Sequence, residues 1–167
     1  DLGPQLLSLL KYVKLVNSSK IKNYMLNDFK LENDIEKNGK VIDLLKPNQF
    51  VLVQIIKEPI STKGPRISCE ISLAGRYMVL IPFSDRVSIS QKIESKEERI
   101  RLKRLVNSIK PKNFGVIVRT VAKQKKVAEL DSDLQNLVSR WKKLCKSIRN
   151  INKCPYKVLS EINRTSS

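Results

Sequence analysis

Apolar positions along this chain follow two different periods. Val51-Leu52-Val53-Gln54-Ile55-Ile56 is a run rich in β-branched side chains, which predicts a strand. Pro59 stops it, and Ser61-Thr62-Lys63-Gly64-Pro65-Arg66 reads as a loop. Over 67–72 the apolar Ile67, Cys69 and Ile71 alternate with Ser68, Glu70 and Ser72, predicting a second strand. Gly75 marks a tight turn before a third strand over 77–81. The period then lengthens. Leu102, Leu105, Val106 and Ile109 share one helical face, with Arg99, Arg101, Lys103 and Arg104 off it. Ser95 and Glu98 have capping-box spacing at the start of that helix, and Pro111 ends it. Gly115-Val116-Ile117-Val118 predicts a fourth strand, closing on Arg119-Thr120, and Lys123–Lys126 forms a basic turn. A long amphipathic helix is expected over 127–148, with the stripe Val127, Leu130, Leu134, Leu137, Val138, Trp141, Leu144, Cys145, Ile148.

The first part of the chain is less patterned. Leu6, Leu7, Leu9, Leu10 and Val13 suggest a short helical or irregular segment, and polar residues 17–40 suggest a surface connection. No internal repeat is visible. The chain begins at Asp1 and stops at Ser167 without a closing signal, and so reads as a fragment.

Charge sharpens the picture. The 167 residues carry 33 basic and 16 acidic side chains, a net charge of +17 that favours a polyanionic partner. The composition is rich in Lys, Asn and Ile, so codon drift in an AT-rich genome accounts for part of this. Drift would spread the charge evenly. Instead, residues 1–50 and 51–91 each net +2, and residues 92–167 net +13. Seven basic residues and no acid lie from Arg140 to Lys157. RNA or DNA fits this best. An anionic membrane fits poorly, because the basic faces lack bulky apolar anchors. No stretch reaches the roughly 20 apolar residues that span a bilayer.

Catalytic chemistry is scarce. With no histidine, a His-dependent triad and His metal ligation are excluded. Cys69, Cys145 and Cys154 have no metal-ligand spacing and read as buried small side chains in a reducing cytosol. Glu97, Glu98, Asp131 and Asp133 read as first-turn acids that offset helix dipoles. Arg119-Thr120, at a strand end before a basic turn, could hold a phosphate through a guanidinium fork and a hydroxyl. Tyr77, Phe83 and Phe114 are candidates to stack on bases, although core packing is the better reading of Tyr77 and Phe114.

Four stretches in order carry a resemblance. They are Val51–Arg66, Ile71–Pro82, Gly115–Thr120 and the helix holding Trp141, flanked by Asp1-Leu2-Gly3-Pro4-Gln5 and Lys157–Ser167. Together they resemble the ribonuclease E/G family, endoribonucleases of RNA decay and ribosomal RNA processing. Cys69 departs from the pattern, standing where the family is expected to carry Thr.

The resemblance implies an α+β chain: a partial OB-type β-barrel over 1–83, lacking its first strands, then a small α/β 5′-sensor subdomain over 84–150 with the long amphipathic helix. Residues 151–167 would begin the following region. Arg119 and Thr120 match the family's pair that binds a 5′-monophosphate. Gly75 and Val79 match backbone positions contacting the terminal nucleotide, and Lys57 and Lys63 match basic positions of the RNA-binding barrel. The implied partner is single-stranded RNA with a 5′-monophosphate, in the cytoplasm, with homo-oligomerisation through regions outside this chain. The catalytic aspartates and their Mg²⁺ would lie outside it too, so no cofactor is expected here. The alternative is a generic basic RNA-binding or ribosome-associated module that ignores the 5′ end.

Overall fold

The computed structural model describes residue 47, residues 51–149, residue 151 and residues 154–160. The segments expected at 6–13 and 17–40 lie outside the described residues.

β1 (Gln54–Lys57) pairs antiparallel with β2 (Arg66–Ser68), Ile55 facing Ile67, with a register shift between Ile55 and Lys57. Neither strand reaches its expected length. Beyond Ser68 the side-chain amide of Gln54 takes the place of a strand partner. Its oxygen accepts from Ser72 N at 2.9 Å, and its nitrogen donates to Ser72 O at 3.1 Å. Ile55, Ile56, Ile60 and Ile67 of this hairpin are exposed.

The second sheet holds β3 (Leu73–Ala74), β4 (Met78–Pro82), β5 (Val87–Ile89) and β6 (Phe114–Val118), in the order β3-β4-β6-β5. β4 and β6 run antiparallel and β5 lies parallel to β6. The parallel pair needs a long crossover, which α1 (Lys96–Ile109) supplies. β5 has too few residues for its alternation to stand out in the sequence. The Ser95 side chain accepts from Glu98 N at 3.3 Å and caps α1; Lys110, before Pro111, turns extended and ends it. α2 (Val127–Arg149) follows a 3₁₀ turn at Thr120–Ala122.

The α+β class is as expected. Among the described residues there are two separate sheets and no closed barrel, the first sheet being the β1–β2 hairpin by itself. The four-stranded sheet also draws strands from both sides of residue 83, where the expected domain boundary falls.

One face of this sheet carries both helices. Met78, Leu80, Val116 and Val118 meet Leu102 and Val106 of α1 and Leu130, Leu134 and Leu137 of α2 in a single buried cluster. Trp141 is fully buried there, with Phe83 and Phe114 edge-on to it at 5.9 and 6.4 Å between ring centroids. Phe83 and Tyr77, like Phe114, are therefore core residues, which corrects the expectation that Phe83 is open to a base. Among the described residues no helix is long and apolar enough to cross a membrane.

Trp141→Ala should remove about 3–5 kcal/mol of stability, measured by urea unfolding. A loss under about 1 kcal/mol, the scale of a surface substitution, would show that the indole does not organise this core.

Candidate functional site

The antiparallel register sets Met78 opposite Val118, so the turn before β4 and the end of β6 share one corner of the sheet. The corner is tied together at both chains. Arg119 N donates to Tyr77 O at 2.8 Å, and Arg119 Nη1 donates to Gly75 O at 2.8 Å. That contact anchors one nitrogen of the guanidinium. Its remaining N–H groups have no hydrogen-bond partner among the described residues, and the side chain is exposed. The parallel register brings Ile89 opposite Val118, which places Ser90 beside the same strand end. The Ser90 and Thr120 hydroxyls lie 3.0 Å apart, and either can donate. The end of β6 therefore carries an anchored guanidinium, followed in sequence by a hydroxyl pair that keeps one O–H free to donate, groups of the kind that bind an oxyanion such as phosphate.

The turn itself is held from below. Asp133 of α2 accepts hydrogen bonds from Arg76 N at 3.0 Å, Tyr77 N at 2.8 Å and Met78 N at 3.2 Å. This corrects the reading of Asp131 and Asp133 as first-turn acids, since α2 begins at Val127 and its first-turn acid is Glu129. It also explains Gly75. The backbone there is not left-handed. A Cβ would instead lie 2.5 and 2.9 Å from the Asp133 oxygens, so only glycine fits.

The basic turn after Thr120 is latched to α1. Glu98 accepts from Arg101 through both oxygens at 2.7 Å and from Gln124 N at 2.8 Å, while Arg101 also donates to Lys125 O at 3.2 Å. Gln124 adopts a left-handed φ of 59°, a conformation this latch helps to hold. The Arg101 hydrogen bond, with help from the Gln124 amide, holds the Glu98 carboxyl at about 2, below its ordinary 4.5. Glu129 is likewise lowered, first by Lys126 N and then by the Lys125 ammonium, and Lys125 is raised by Glu129 in return. Arg76 and Lys125 both approach the Tyr77 ring, at 5.2 and 5.6 Å from its centroid.

Of the expected site residues, the structure brings Gly75, Arg119 and Thr120 together. Val79 lies one strand in, paired with Ala74 on one side and Ile117 on the other, and half-buried. Lys57 and Lys63 are exposed on the β1–β2 hairpin, in the other sheet. Ser90 and Asp133 belong to the corner and were not singled out for it. Their partners lie 30 and up to 57 residues away, and no local pattern signals such pairings. Part of the basic charge is structural: Arg99 donates to the Ser90 and Ile93 carbonyls, and Arg140 to Ala74 O. Lys142, Lys143 and Lys146 are exposed along α2. Cys154 is exposed, unlike the buried Cys145, and Cys69 is half-buried, its thiol pushed up by burial. No group of three or more His, Cys, Asp or Glu among the described residues could hold a metal ion.

Comparison with known proteins points one way. The model of the ribonuclease E/G family matches residues 72–167. The chain is 46% identical over 103 residues to ribonuclease E of Synechocystis sp., covering 62% of this chain and 15% of that protein. It is 43% identical over 116 residues to the ribonuclease E/G-like protein of Porphyra purpurea, covering 70% and 22%, and 39% identical over 104 residues to ribonuclease G of Escherichia coli (strain K12), covering 62% and 21%. The matched part is thus between 15% and 22% of the length of these relatives. Among solved structures, the RNase P protein of Staphylococcus aureus aligns at 22% identity over 42% of this chain and 80% of its own, with a TM-score of 0.36. That likeness is too slight to bear on the fold.

Because Glu98 is ionised far below its ordinary range, its contribution to stability is complete above about pH 4.5 and is lost as pH falls toward 2. Melting temperatures across that window should fall less steeply for Glu98→Gln than for the wild type. Parallel curves would show that the latch does not hold the carboxylate.

Proposed function

The chain belongs to the ribonuclease E/G family, and from that premise we propose that it is the RNA-binding, 5′-monophosphate-sensing portion of an endoribonuclease of RNA decay and ribosomal RNA processing. The observation that carries this reading is the end of β6, where Arg119 is held by Gly75 O and is followed by Thr120, whose hydroxyl pairs with that of Ser90. A terminal monophosphate carries a charge of about −1.5 to −2 near neutral pH. A guanidinium held by one contact keeps the rest of its fork for such a group and loses little side-chain freedom on binding. An internal phosphodiester carries a single charge and has two of its oxygens esterified, so it meets this donor set less well. A triphosphate adds bulk and charge that the same set does not match.

In this reading Val79, beside the corner, borders the terminal nucleotide. The RNA then continues over Lys57 and Lys63 of the hairpin, which would belong to an OB-type barrel completed by other parts of the enzyme. The nuclease chemistry uses Mg²⁺ to activate water. Among the described residues no group of three or more His, Cys, Asp or Glu could hold that ion. A second reading, a basic RNA-binding module without end recognition, is favoured only by the exposed Lys142, Lys143 and Lys146 and the net +13 of residues 92–167.

The two readings separate in one binding experiment. Short single-stranded RNA with a 5′-monophosphate should bind about tenfold more tightly than the same RNA with a 5′-hydroxyl. Arg119→Ala should abolish that difference and leave the 5′-hydroxyl affinity nearly unchanged. Equal affinities for both RNAs, steep in salt and indifferent to the substitution, would leave the generic module.

A further inference from the structure

The geometry points to Asp133 as the positioning residue of this phosphate corner, acting through the turn at 75–78 and not by touching RNA. The inference deepens the 5′-monophosphate reading and rests on it.

Three successive backbone N–H groups turned to one side form a concavity that binds anions. Arg76, Tyr77 and Met78 present such a group, and the Asp133 carboxylate fills it from α2 with bonds of 2.8–3.2 Å. The turn is closed on itself as well, Gly75 N donating to Met78 O at 2.8 Å. What this rigid turn offers outward is the Gly75 carbonyl, and that carbonyl takes Arg119 Nη1. The contacts therefore run in one line: carboxylate to amides, amides to the turn, turn carbonyl to guanidinium. Gly75 records how close the first link is, since no Cβ fits between it and the Asp133 oxygens. With the concavity occupied by the chain's own carboxylate, an incoming phosphate has no competing seat there and is left to the Arg119 fork.

Asparagine has the outline of aspartate but one acceptor oxygen, and its NH₂ would face backbone donors. Asp133→Asn should therefore loosen the turn and free Arg119 to wander. The test uses the full chain and the same two RNAs, with 5′-monophosphate or 5′-hydroxyl, against wild type, Arg119→Ala, Asp133→Asn and the double variant. Asp133→Asn should lose most of an approximately tenfold monophosphate preference, with 5′-hydroxyl affinity kept within about twofold. The double variant should discriminate no worse than Arg119→Ala alone, because both act through one guanidinium. Undiminished preference in Asp133→Asn, with Arg119→Ala losing it, overturns the positioning role and leaves the phosphate reading intact. A wild type without preference overturns both. Should Asp133→Asn fail to fold, amide exchange in the free wild type decides: Arg76, Tyr77 and Met78 should exchange slowly, and fast exchange there overturns the inference.

Discussion

Five residue pairs between β4 and β6, from Met78 opposite Val118 to Pro82 opposite Phe114, set where every other part of the site stands. A slip of one residue would exchange the buried Met78, Leu80, Val116 and Val118 for their neighbours on the open face. The core thus enforces the register, and the register delivers the 75–77 turn to the end of β6. Arg119 and Thr120 gain their partners from that placement, since neither Gly75 nor Ser90 is near them in sequence.

The core and the corner are linked through α2. Its inner stripe, Leu130, Leu134, Leu137 and Trp141, seats the helix against the sheet. The same seating carries Asp133 under the turn and Glu129 toward Tyr77, where the Tyr77 hydroxyl donates to it at 3.3 Å. On the other side of the corner, α1 holds the basic turn through Glu98 and Arg101. A charged surface that looks undifferentiated by composition is therefore divided. Arg99, Arg101 and Arg140 brace backbone carbonyls or carboxylates, whereas Arg119 is held by Gly75 O and followed by a hydroxyl residue at a strand end.

Much of this was legible in the sequence where the cause is local. Both helices follow from their 3.6-residue apolar stripes, and the start of α1 from Ser95 three residues before Glu98. The strand ending at Arg119-Thr120 followed from its β-branched run and the basic turn behind it. What was not legible depends on distant partners. β2 stops at Ser68, and the Gln54 side chain bonds Ser72, eighteen residues on. Ser90 reaches Thr120 only through the parallel pairing of β5, itself too short to show a pattern. Gly75 looks like a residue chosen for its turn, but its φ is ordinary and its small size answers to Asp133. Phe83 looks like an available aromatic until Trp141 closes over it. Among the described residues the first two strands pair only with each other and the third belongs to the other sheet, a division that no local pattern signals.

The central claim is that this corner recognises a terminal phosphate as such. The most direct measurement is phosphorus NMR of a short 5′-monophosphorylated RNA titrated with the chain at moderate salt. The terminal resonance should shift strongly, and its second ionisation should move to lower pH as the dianion gains the Arg119 fork. The internal phosphodiester resonances should move little. A terminal resonance that shifts no more than the internal ones, with its ionisation unchanged, would contradict the claim.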